Sequence, residues 1–180
     1  MTSRCAPAPV VILRAARAWV RNRRDRYHPR GLPIAAPDIA WLSAFFDPPL
    51  LARVRVCRAS LPVPHFAGIT YGDTILIDPG APGSGHAWRR LLFHELVHVV
   101  QYEVLGLDGF VNRYLRGWAA AGYRYRAIAL EEDAYAIEAM FTADPERSFP
   151  VLEEVERRLD PGKAQPPRAP PADVSSPSPA

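Results

Sequence analysis

The sequence predicts an α+β domain, and three observations carry that assignment. Trp88 to Leu105, WRRLLFHELVHVVQYEVL, contains no Gly or Pro and has the length of a full helix. Ile128 to Phe141 is an acidic, alanine-rich stretch of high helical propensity. Ahead of both, Thr70 to Ile77 carries the pattern of a strand through Ile75, Leu76 and Ile77 and runs into the turn signal Asp78-Pro79-Gly80. A small sheet packed against two helices follows from these elements.

Taken from the amino terminus, Val10 to Arg26 places Arg14, Arg17, Arg21 and Arg24 along one helical stripe, with Trp19 and Val20 elsewhere on the wheel. This predicts a basic amphipathic helix within an N-terminal segment 1–36. With a net charge of only +3, a solvated basic face accounts for it better than a nucleic-acid or membrane surface. Ala6 to Leu13 is short and mildly apolar, with arginine after it rather than before it, which argues against a secretory signal. No apolar run approaches the roughly 20 residues of a membrane-spanning helix. Cys5 and Cys57 do not form a disulfide framework, so the sequence fits a reducing cytoplasm, or export through a machine that needs no signal peptide.

The strand around residues 70–77 reads either as an internal strand with a core face or as an open edge able to pair with an extended peptide. The helix that follows has Ser84 as its N-cap and Gly106 as its C-terminal stop. Leu91, Leu92, Phe93, Leu96, Val97, Val99 and Val100 make it apolar around most of its circumference, which predicts central burial. Inside that apolar helix lies His94-Glu95-Leu96-Val97-His98. At 3.6 residues per turn the two imidazoles share one face and can converge on a single ion, while Glu95 projects beside them as a base. Burying such groups is costly unless they are paired or coordinate a metal, so the context favours a Zn2+ site over two histidines satisfied by neighbouring side chains.

A catalytic zinc takes three protein ligands and keeps one position open. The metzincin continuation is excluded, because Gln101 and Val104 stand where its glycine and third histidine would be, and no histidine follows His98. The third ligand must then come from the second helix, where Glu131, Glu132, Asp133 and Glu138 are candidates. Glu131 opens a Glu-x-x-Ala pattern in which Ala134 leaves room for the first helix, and Glu138, two turns on, is placed to orient a histidine. Leu152, Val155 and Leu159 recur at helical spacing in a last short helix. From Asp160 onward the Pro-, Ala- and Ser-rich run DPGKAQPPRAPPADVSSPSPA has too few apolar residues for a core, so residues 160–180 are expected to be a disordered tail. The domain itself is expected over 37–159.

The run LLFHELVHVVQYEVLG, followed by GYRYRAIALEEDAYA, resembles the gluzincin-type metallopeptidases of the domain associated with extracellular contractile injection systems. Their motif is typically a HEL-x-H-V-x-Q segment with a later E-x-x-A helix. Leu51 to Val56 and Gly68 to Ile77 look like the two strand segments that precede the zinc helix in that family, so the resemblance spans about Pro37 to Phe141. It implies a zincin-like fold, His94, His98 and Glu131 as metal ligands, Glu95 as general base, and a peptide or protein as substrate. One departure stands out. Many gluzincins have an acidic residue four positions after the ligand Glu, whereas this chain has Tyr135, leaving Glu138, Asp133 or a backbone carbonyl to orient an imidazole. An oxyanion donor is not singled out among Tyr123, Tyr125, Tyr135 and the neighbouring arginines. The competing readings are a non-catalytic scaffold module of a larger assembly, such as a contractile injection system, and a basic adaptor for nucleic acid, for which no recognised motif speaks.

Overall fold

The computed structural model of the chain describes residues 10–63, 66–144 and 147–160, so all but the first residue of the predicted tail, and Cys5, lie outside the described residues. The fold is α+β, mostly helical with a small mixed sheet of order β1-β2-β4-β3. β1 (Leu32–Pro33) pairs antiparallel with β2 (Arg55–Arg58), β2 runs parallel to β4 (Thr74–Ile77), and β3 (Gly68–Tyr71) closes an antiparallel hairpin with β4. No helix among the described residues is long and apolar enough to cross a membrane.

Two strand expectations are corrected. Leu51 to Arg53 are not extended; they complete α3 (Pro48–Arg53), because the Pro48-Pro49 pair presets a helical first turn and Leu50 and Leu51 then bury inward. The expected strand over 70–77 is interrupted by a two-residue turn, in which Gly72 at φ 65° supplies the left-handed backbone that reverses the chain. Its Ile75-Leu76-Ile77 part is therefore the internal strand β4, buried on both faces, and the edge of the sheet is β3.

The sheet and its preceding helices, α2 (Ala36–Leu42) and α3 among them, pack on α4 (Gly85–Ala120). Ser84 takes the N-cap position without a side-chain capping bond. Gly106, at φ 65° and ψ 167°, ends the first segment as expected, but the chain resumes a second helical segment over 107–120 that the sequence analysis did not assign. Every residue from 92 to 102 is buried. On one side, Phe93 stacks on Phe141 of α5 (Ala129–Ala143) with centroids 4.5 Å apart, in a core completed by Leu42, Phe45, Phe46 and Leu51. On the other, Tyr102 stacks on Phe110 across the Gly106 break, beside Val20, Tyr71 and Leu76. α6 (Val151–Leu159) turns Val151 and Val155 inward and packs Leu159 against the core, as expected for the last two of Leu152, Val155 and Leu159, while Leu152 is exposed and Val151 takes its place in the buried stripe.

The first helix, α1 (Val10–Tyr27), is bound to the rest of the fold rather than solvated all along its basic stripe. Arg24 donates two hydrogen bonds to Asp73 at 2.9 and 2.8 Å, and Arg17 pairs with Asp108 at 3.1 Å, while Arg14 and Arg21 remain exposed. Burial pushes the Asp73 carboxyl up, but Arg24 and His28 outweigh it and hold its pKa below the usual range. β1, on the N-terminal side of the boundary expected at residue 36, pairs with β2 on the far side of it.

Candidate metal centre

α4 presents His94, Glu95, His98 and Gln101 on successive turns, and α5 crosses it at Ala134, whose small, fully buried side chain permits close approach. That crossing brings Glu131 against both histidines. His94 Nε2 lies 3.2 Å from His98 Nε2, and Glu131 Oε2 lies 3.4 Å from the first and 3.3 Å from the second. The three residues form the metal-compatible His and carboxylate group found among the described residues, and all three are buried.

The proton arrangement shows why a cation fits. Gln101 Nε2 donates to the Leu130 carbonyl at 3.0 Å, which turns Gln101 Oε1 toward His98 Nδ1 at 2.9 Å and requires the proton to sit on that nitrogen. His94 Nδ1 faces a carboxylate oxygen of Glu138 at 3.2 Å, an ion-pair approach that also places the proton on Nδ1. Both Nε2 atoms then point lone pairs at the Glu131 oxygen, itself buried without a hydrogen-bond donor. Three lone pairs about 3.3 Å apart are what a tetrahedral ion with bonds of about 2.0–2.1 Å needs on one of its faces. The carboxylates around the two rings favour protonated imidazoles. Burial disfavours a charged His94, but Glu131 and Glu138 prevail and push its pKa up to about 9; His98 is raised in the same way by Glu131. Burial pushes Glu131 up, yet His98 and His94 hold it far below the carboxylate range. Ligand binding by a metal would replace those protons.

The other acidic candidates lie elsewhere. Glu132 is exposed, Asp133 sits near Arg158 at 3.6 Å, and Glu138 is engaged by His94 and by Arg90, whose Nε donates at 2.8 Å. Glu138 thus occupies the place left by Tyr135, whose ring packs on His94 with centroids 4.5 Å apart. Burial favours the neutral acid at Glu138, but His94 and Arg90 hold its pKa down.

Glu95 faces the edge strand. The Thr70 hydroxyl sits 2.7 Å from Glu95 Oε2 and 3.1 Å from the Glu95 carbonyl, and any side chain at Gly68 would place a Cβ 2.5 Å from Oε1. β3 therefore supports the carboxylate and leaves room for it only because residue 68 is glycine. Burial raises the pKa of Glu95 against the pull of His98 and His94. Tyr114, from the second segment of α4, donates to Glu131 Oε1 at 3.2 Å. The roles of Gln101, Thr70, Gly68 and Tyr114 are not legible in the sequence, although Gln101 stands within the HEL-x-H-V-x-Q motif and Gly68 and Thr70 within a strand segment of the resemblance.

Two cavities flank the centre. One, of about 400 Å³, is lined by Arg90, Arg126, Glu138 and Tyr135 together with His94 and Glu95. The other, of about 570 Å³, is lined mainly by aromatic and aliphatic side chains and reaches Glu95, His98 and Glu131. Tyr125 lines both, whereas Tyr123, largely exposed and meeting Trp118 edge-on at 5.0 Å, lines only the larger of the two. Electrostatically, the centre is a buried carboxylate and two imidazoles with two further buried carboxylates, Glu95 and Glu138, alongside, bordered by a cavity on each of two sides. No family model, curated protein or solved structure matches this chain.

Proposed function

We propose that the protein is a zinc-dependent peptidase whose metal is held by His94, His98 and Glu131 and whose general base is Glu95. The observation that carries this reading is the triangle of three lone pairs 3.2–3.4 Å apart with a buried, unligated carboxylate next in sequence to one of its corners. Zinc, when bound, supplies Lewis acidity that acidifies a water and polarises a carbonyl. The remaining chemistry belongs to the chain. Glu95, kept from ionising too easily by burial, accepts a proton from the attacking water as its oxygen bonds to the carbonyl carbon, then delivers that proton to the amine nitrogen as the C–N bond breaks. The Thr70 hydroxyl holds Oε2 and so orients Oε1 for that transfer. Gln101 and Glu138 fix the ring tautomers that keep both Nε2 atoms free to ligate. A scaffold site would need no such base and would close its fourth position with another side chain.

Metal analysis of the purified protein is expected to find about one zinc per chain, lost in His94→Ala and His98→Ala. Glu95→Gln is expected to keep the metal while lowering cleavage of a peptide library by about 10²- to 10⁴-fold. Zinc without cleavage in the unaltered protein would transfer the assignment to a structural module. Cleavage undiminished in Glu95→Gln would refute the base.

A further inference from the structure

We infer that the apolar cavity on the His98 side of the centre is the subsite for a large apolar or aromatic side chain adjacent to the scissile peptide bond. This rests on the hydrolytic reading above and adds its substrate class. The cavity, of about 570 Å³, lies within the size range of small-molecule and side-chain binding pockets. Its walls come from three elements: Ala16 and Trp19 of α1, Ile69 of the edge strand β3, and Val111 and Leu115 of the second segment of α4. Its floor is Glu95, His98 and Glu131. An occupant is thus delivered to the metal centre itself, which distinguishes this cavity from a passive surface groove.

Among the described residues no Lys or Arg lines it, and its two carboxylates are both committed to the centre, so they leave a charged side chain without a free counter-charge. Trp19 and Trp118 are 45% and 42% exposed, which leaves large aromatic surface available to an incoming ring. The smaller cavity across Glu95 carries Arg90, Arg126 and Glu138, so the two sides of the cleft differ in chemistry. β3 is the edge of the sheet and carries Gly68 between both cavities, so a peptide paired to it would pass Glu95 with alternate side chains directed to one face. The break at Gly106 is what makes the pocket possible, because it swings the second helical segment round to face α1 and β3.

The test uses the full zinc-loaded chain and peptides identical except for one central residue: Phe, Leu, Ala, Asp or Lys. Phe and Leu are expected to exceed Ala by about 10- to 100-fold in kcat/KM, with Asp and Lys poorest. Ala16→Trp, which narrows the cavity from α1, is expected to retain zinc and to invert the order of Phe and Ala; Trp118→Ala, at the exposed rim, is expected to reduce the Phe advantage by a few-fold. Binding to Glu95→Gln, followed by tryptophan emission because Trp19 and Trp118 flank the cavity, gives a readout independent of turnover. Cleavage with no preference for Phe or Leu, or with a preference for Asp or Lys, would overturn the inference and leave the peptidase reading standing. Phe-selective binding without cleavage by the unaltered protein would support the subsite and sink the hydrolytic reading. Binding of dodecanoate without discrimination among the peptides would overturn the inference in favour of a lipid site.

Discussion

The two histidines of the centre are one helical turn apart, yet they are held in opposite ways. His98 is at the apolar cavity: Phe110 meets its ring edge-on, and its Nδ1 is oriented by Gln101, a neutral amide tethered to the Leu130 carbonyl. His94 is at the polar cavity: Tyr135 packs on its ring, and its Nδ1 faces Glu138, a carboxylate held by the half-exposed Arg90. A charged acceptor raises the basicity of the imidazole it faces, whereas an amide orients its partner with little electrostatic push. The contrast teaches that one ligand is positioned by buried structure and the other tuned by charge, and the two should respond differently to substitution.

The largest effect belongs to the residue both histidines share. Glu131→Ala removes the third lone pair and leaves both Nε2 atoms without the anion that draws them together, so zinc affinity is expected to fall well beyond the roughly 10- to 100-fold typical of an orienting residue. Glu132→Ala, altering an exposed neighbour, is expected to leave affinity unchanged in the same competitive chelator titration. The reverse order would shift the register of α5 and dissolve the contrast.

Next comes the His98 side. Gln101→Leu strands one buried donor, the His98 Nδ1–H, while the Leu130 carbonyl, within α5, keeps its helical bond. An unsatisfied buried group costs about 1–3 kcal/mol, so the apo protein is expected to lose about that much in denaturant unfolding, and zinc affinity to fall about 10- to 100-fold as the ring loses its fixed tautomer. An apo stability equal to that of the unaltered protein would show that Gln101 does not hold the buried side.

Glu138→Gln tests the charged side by itself. The amide keeps an acceptor near His94 Nδ1 but removes the charge, so the expected change is about tenfold weaker zinc binding with apo stability altered by less than about 1 kcal/mol. A loss of stability as large as that of Gln101→Leu would make the two sides equivalent.

This division also marks what was legible in the sequence. His94, Glu95 and His98 declare themselves because helical spacing is local, whereas Glu131 is singled out from its acidic neighbours mainly by the E-x-x-A pattern of the resemblance. Gln101 and Thr70 gain their roles only when α5 and β3 arrive from elsewhere in the chain, 29 and 25 residues away. The α+β class was readable from periodicity, but Pro48-Pro49 turned an apparent strand into α3, and the Gly72 turn divided an apparent strand into a hairpin. The basic stripe of α1 was visible, yet pairing of Arg17 and Arg24 with Asp108 and Asp73 depends on tertiary contacts that no local pattern encodes. The helix over 107–120 was hidden because Gly106 is a valid stop signal; that the chain restarts at once is decided by the packing of Phe110 on Tyr102.

The smallest effect is the most discriminating, because Arg90 touches the charged side without touching the metal ligands. It pairs with Glu138 at 2.6 Å while its own side chain is 52% exposed, so it acts on His94 only through that carboxylate. If Arg90 mainly withdraws charge, Arg90→Met frees Glu138 to act more strongly on the imidazole and removes a cation near a dication site, and zinc binding is expected to tighten by up to about threefold at low salt, fading as the solution screens the charges. If it mainly holds the carboxylate in place, Arg90→Met weakens binding at all salt concentrations, and Arg90→Lys, with one ammonium in place of a planar fork, restores only part of the loss. The charge-tuned account of His94 requires the first outcome. The second would place His94 alongside His98 as a ligand fixed by geometry, and the difference between the two halves of the centre would then reduce to the cavities they border.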